Sequence, residues 1–229
     1  MKRVSILKCG PGIDEIRNVY GHASDWVAEI VSSYDNNINI NVINSYECIQ
    51  PDNDDAWIIT GSSSSCYEDK DWIVELEFQI KRGYEVNKPI LGICFGHQII
   101  AQSLGGKVIK NPMGWELGSN KINITDYGKK SEIFNSIPNN NDYYFSHQDT
   151  VLDLPRNAIE LAYNEMGNQA YCIGEKIFGV QFHPEFSFDV MEAYIKRRIS
   201  MGIFPKNPFI SSSNSSYFVI TNFLNILDN

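Results

Sequence analysis

The stretch GICFGHQ, residues 92–98, sets a cysteine two residues after one glycine and two residues before another. A thiolate is a strong nucleophile, and this spacing matches the elbow on which hydrolases raise a nucleophile at a sharp strand-to-helix turn. The preceding PILGIC (89–94) reads as a buried strand and the following GHQIIAQSLG (96–105) as a helix. In that setting Gly92 and Gly96 relieve the crowding at the turn, and the helix N-terminus favours negative charge on Cys94. Taken alone, the same letters also fit a small buried cysteine between turn glycines.

A thiol nucleophile needs a base, and the chain has four histidines. His183 stands in GVQFHPEF, two residues before Glu185, so an extended backbone would put both side chains on one side. A carboxylate beside an imidazole fixes its tautomer and stabilises the imidazolium that forms when the ring takes the thiol proton. A Cys94–His183–Glu185 triad is the reading that follows. His22 reads as a surface or packing residue. His97 makes a Cys-x-x-His with Cys94 but lacks the second pair that a zinc site requires. His147, in FSHQD, ends a predicted strand and could line a site. Attack on a carbonyl develops an oxyanion. Phe95, next after the nucleophile, can offer one backbone N–H, and Gly61 in TGS (60–62) can offer another.

The elements that must position these groups alternate between apolar runs and helical periodicity. RVSILKCG (3–10), NINVINSY (39–46), DAWIITGS (55–62) and PILGIC read as strands, with helices over 14–34 (interrupted at Gly21), 71–87 and 96–105. That alternation predicts an α/β fold with a mostly parallel, doubly wound sheet and helices on both faces. After Gly105-Gly106 the pattern shortens to KVIKN, SNKINIT, DYYFSHQD, AIELAYN, QAYCIG and KIFGVQFHPE, a small antiparallel extension of the sheet. SFDVMEAYIKRRISMG (187–202) and the end of 211–227, after a serine-rich loop, read as helices. No linker interrupts the chain, so residues 1–229 are expected to form one domain.

Composition narrows the function classes. Of 229 residues, 43% are hydrophobic and 21% charged, and the net charge is −9. Nucleic acid and anionic membrane are therefore poor partners. Five scattered cysteines do not form a secreted disulfide framework, the N-terminal apolar stretch is too short for a signal peptide, and no run is long enough to span a bilayer. The expected location is the cytoplasm. No metal ligand set or phosphate loop is present, so no cofactor is expected.

Together GICFGHQ, HPE (183–185) and TGS resemble the class I, triad-type glutamine amidotransferase domain. GSSSSCYEDKDWI (61–73), GWELG (114–118) and FSHQDTV (145–151) look closest to its stand-alone branch, which is similar to the glutaminase part of GMP synthase and includes γ-glutamyl peptidases. The resemblance implies the flavodoxin-like fold of that family. It implies that Cys94 attacks the glutamine γ-amide to give a γ-glutamyl thioester, with His183 as base and acid and Glu185 orienting it. Gly61 and Phe95 would form the oxyanion hole; Gln98, Ser146 and His147 would bind substrate. Any ammonia acceptor would be a separate synthetase subunit. Two alternatives stay open: a peptidase acting on γ-glutamyl peptides such as glutathione or its conjugates, and a non-catalytic binding module.

Overall fold

The computed structural model describes residues 2–48, 51, 54–204, 210–212 and 214–227. In chain order the elements begin with β1 (Arg3–Lys8), α1 (Asp14–Tyr20), α2 (Ala23–Tyr34), β2 (Asn39–Asn44) and β3 (Ala56–Ile59). They continue with α3 (Asp71–Glu85), β4 (Ile90–Ile93), α4 (Phe95–Ser103), β5 (Lys107–Lys110), β6 (Glu116–Asn120) and β7 (Asn123–Ile124). The remainder are β8 (Tyr143–His147), β9 (Asp149–Asp153), β10 (Ala158–Asn164), β11 (Gly167–Ile173), β12 (Ile177–Val180), α5 (Phe188–Ser200) and α6 (Phe218–Ile226).

Eight strands form one sheet in the order β2-β1-β3-β4-β12-β11-β10-β7. The run from β2 to β12 is parallel, and β12, β11, β10 and β7 pair antiparallel. This is the α/β architecture expected from the sequence, a mostly parallel sheet with an antiparallel extension. Two further ladders, β5–β9 and β6–β8, stand beside it.

The parallel strands are buried on both faces, which is why their sequences are almost continuously apolar. Alternate residues feed opposite cores. Ala56, Ile58, Leu91 and Ile93 join Val27 and Val31 of α2 and Val219 and Phe223 of α6. Trp57, Ile59 and Ile90 join Ile73, Leu76 and Ile80 of α3 and Ile99 and Ile100 of α4. A third cluster packs α5, through Val190, Met191 and Ile195, against Leu117 of β6 and Tyr144 of β8. Among the described residues no helix is long and apolar enough to cross a membrane.

Some boundaries differ from the sequence expectation. The stretch 14–34 is two helices, because Gly21 takes φ 85° and His22 starts a new N-terminus. SNKINIT is divided: its first residues end β6, and β7 is only Asn123–Ile124. Asp149–Asp153, expected partly as the tail of a strand, is a strand of its own that pairs with β5. Ser213 of the serine-rich loop lies outside the described residues.

Candidate active site

Four neighbouring parallel strands, β1, β3, β4 and β12, run out at one edge, and each is followed by residues of a single cleft. Open α/β sheets bind ligands at this carboxyl-terminal edge. Gly12 follows β1, Gly61 to Ser63 follow β3, Cys94 follows β4, and His183 with Glu185 follow β12. Ser146 comes from β8, and α1, α2 and α5 close the outer side. The cleft is narrow, about 50 Å³.

Cys94 is the N-cap of α4, with φ 53° and ψ −100°, a backbone conformation that side chains rarely adopt. Its N–H donates to Val180 O at 2.8 Å, tying the turn to β12. The flanking glycines are required by contact. A Cβ on Gly92 would lie 2.4 Å from the Gly96 carbonyl, and one on Gly96 would lie 2.4 Å from Ile59 O. The helix therefore packs directly on the strands that carry it. The Phe95 N–H belongs to the first turn of α4, where helices leave donors without intrahelical partners.

His183 Nδ1–H donates to Glu185 Oε1 at 2.8 Å, and both side chains are buried. The segment is not extended, as the i, i+2 argument supposed; it turns after β12, yet the turn still brings the two side chains together. Phe186 stacks on the imidazole at 4.0 Å and 16°. Burial pulls the His183 pKa down, but the Glu185 carboxylate and the Cys94 sulfur overcome it and raise the ring to about 10. With Nδ1 committed to the carboxylate, Nε2 is the nitrogen left for the thiol. Gly61 is next to both: a Cβ there would sit 3.2 Å from His183 Cε1 and 3.7 Å from the Cys94 Cβ.

The expected substrate residues divide. Ser146 is buried, lines the cleft, and its hydroxyl has no hydrogen-bond partner among the described residues. Gln98 and His147 do not line it. The Gln98 amide donates to Asp149 O at 3.1 Å and to Gln181 Oε1 at 2.9 Å. The His147 ring bonds Asp149 O at 2.9 Å and Glu116 Oε2 at 3.0 Å. Both therefore brace the floor of the site from behind.

Other wall residues escape a reading of the sequence. His22 takes the packing role of the two the sequence allowed and is buried: its Nδ1 accepts from Ser24 N–H at 3.1 Å, and its Nε2–H donates to Gly10 O at 3.0 Å. Burial, then the nearby Lys8 charge, hold it neutral, with a pKa lowered to about 4. The capping pair His22–Asp25 was the available signal: the Asp25 carboxylate accepts from His22 N–H at 2.8 Å. Arg198, Tyr194 and Trp26 reach the cleft only through the packing of α5 and α2, and nothing local in the sequence announces them.

A sequence profile of the family "Glutamine amidotransferase class-I" matches residues 18–200. The chain belongs to this family. Among relatives of this amidotransferase-family chain, γ-glutamyl peptidase 4 of Arabidopsis thaliana is 38% identical over 156 residues, 67% of this chain and 62% of the relative. The chain thus spans less than two thirds of the plant protein's length. A glutamine-hydrolysing GMP synthase of Aquifex aeolicus is 41% identical over 114 residues, 48% of this chain and 21% of that protein. The crystal structure of a glutamine amidotransferase from Thermotoga maritima superposes with a TM-score of 0.75 at 24% identity, covering 99% of this chain and 96% of that one. This last likeness speaks for the fold.

Proposed function

We propose that this protein hydrolyses the glutamine γ-amide through a thioester on Cys94, releasing glutamate and ammonia. The observation that carries the reading is a buried His183–Glu185 pair at 2.8 Å, with its free nitrogen beside a thiol held at a strained elbow. His183 takes the Cys94 proton through Nε2, and Glu185 stabilises the imidazolium. The sulfur attacks the amide carbon, and the oxyanion is held by the N–H groups of Phe95 and Gly61. His183 then protonates the departing nitrogen, and ammonia leaves. A water molecule gives its proton to His183 and attacks the thioester; glutamate departs and the thiol is restored. The Ser146 hydroxyl, unpartnered among the described residues, faces the bound substrate, while Gln98 and His147 act by holding the strands behind it. None of these steps calls for a cofactor.

A second reading, hydrolysis of γ-glutamyl peptides, draws on the residues of α1, α2 and α5 that line the cleft together with Cys94. The kinship to a γ-glutamyl peptidase supports it. Under the first reading, kinship to part of a GMP synthase supports a separate synthetase subunit as ammonia acceptor. We place the reaction in the cytoplasm, where a catalytic thiol stays reduced. The deciding measurement is glutamate release from glutamine and from γ-glutamyl peptides by the wild type and by Cys94→Ala. Release that disappears in the variant supports the reading, and release that survives the substitution removes Cys94 from the mechanism.

A further inference from the structure

One cation in the cleft is left over from the protein's own pairing. Arg17, on α1, is already engaged: Nη1 donates to Pro11 O at 2.7 Å and Nη2 pairs with Asp14 at 2.9 Å. Arg198, on α5, has no such partner among the described residues. Among the described residues no carboxylate acts on it as an ion-pair partner, and its buried Nε makes no hydrogen bond. The guanidinium is nevertheless held in place, its carbon 4.2 Å from the centre of the Trp115 ring. A guanidinium stacked on an indole keeps its edge donors free, and that planar fork matches a carboxylate.

Its position has a chemical sense. Arg198 is one helical turn beyond Tyr194, so the two share a face of α5. Tyr194 packs on Phe186 at 4.7 Å, and Phe186 stacks on His183 at 4.0 Å. Arg198 thus lines the same cleft as Cys94 and is joined to His183 through Tyr194 and Phe186. In the mechanism proposed above His183 protonates the departing nitrogen, so a group attached to that nitrogen leaves through the part of the cleft beside the imidazole.

We propose that Arg198, stacked on Trp115, is a specificity-determining residue that binds a carboxylate on the leaving portion of a γ-glutamyl substrate. The inference rests on the γ-glutamyl hydrolase reading above. It selects, among γ-glutamyl amides, those whose leaving portion is itself an acid, such as an amino acid or peptide with a free C-terminus.

The test uses calorimetric binding to the full chain carrying Cys94→Ala, with γ-glutamyl-alanine and its C-terminal amide as probes. These differ only in the distal carboxylate, so the α-carboxylate they share cancels. The free acid should bind roughly tenfold or more tightly than the amide, the scale of one charge-assisted hydrogen bond. Arg198→Met should erase that difference by weakening the acid alone, and Arg198→Lys should restore part of it. Equal binding of the two probes, a preference that persists in Arg198→Met, or equal weakening of both would each overturn the proposal. So would failure of the free acid to bind. Glutamate release by the wild type tests the parent reading separately: silence there with an intact acid preference sinks the hydrolase and keeps the carboxylate site.

Discussion

Cys94 holds its place at the edge of the sheet at the cost of backbone strain, since such a φ, ψ pair costs a non-glycine residue on the order of 1–3 kcal/mol. The fold holds it there by one hydrogen bond to Val180 and by two glycine contacts that no other residue could make. Glu185 is the second tuned residue. Its side chain is fully buried, and among the described residues its carboxylate bonds only His183, with Oε2 unpartnered. A buried charge of this kind is costly unless it stabilises another, here the imidazolium. Glu185→Gln keeps the shape and removes the charge, so the ring loses the larger of the two influences that raise it. On the proposed mechanism kcat for glutamine should fall by roughly 10²–10⁴-fold with KM changed little, as for the orienting carboxylate of Ser-His-Asp triads. Steady-state kinetics with kcat within a few-fold of wild type would show that Glu185 does not act on His183.

At the scale of elements, Asp149 at the start of β9 governs the loop that carries Gly61. Its carboxylate accepts from Ser65 Oγ at 2.5 Å and from Tyr67 Oη at 3.1 Å, while its carbonyl receives the Gln98 amide. The loop after β3, the elbow helix and β9 are thereby locked together. Asp149→Ala should free the loop while leaving both cores intact. If Gly61 is the oxyanion donor proposed above, kcat should drop about tenfold, since displacing such a donor costs at least that, with faster proteolytic cutting within residues 61–70. An unchanged cutting pattern would show that the tie is incidental. This arrangement also shows what a sequence can and cannot reveal. The elbow was legible at Cys94 because it is encoded within seven residues, and His183–Glu185 because the pair is two residues apart. α3 and β4 were legible because their periodicity is regular. Asp149 and Arg198 were not, since the two partners of the Asp149 carboxylate lie 82 and 84 residues away and Trp115 meets Arg198 only through helix packing. β9 was hidden for a related reason: its pairing with β5 arises only when the chain returns.

For the whole molecule, the histidines pull stability in opposite directions across pH. His22 and His97 are buried neutral, lowered by burial to about 4 and about 3. The unfolded chain protonates both near 6.5, so below that pH it binds more protons than the native state and stability falls with acidity. Each contributes a slope of about 1.4 kcal/mol per pH unit, between 6.5 and its native value. His183 has the opposite sign. Its native pKa is raised to about 10, so its stabilisation is fully present below 6.5 and is lost as pH climbs from 6.5 through about 10. From the histidines, then, stability peaks near pH 6.5 and declines on both sides for different reasons. Urea midpoints measured across pH should separate the two limbs. His22→Asn keeps an N-cap of comparable strength while removing the titrating ring, so it should flatten the limb between 6.5 and 4 by one proton. Glu185→Gln should flatten only the alkaline limb. If His22→Asn leaves the acid slope unchanged, the buried cap beside Gly10 already carries its proton, and α2 is held by charge instead of by a neutral ring.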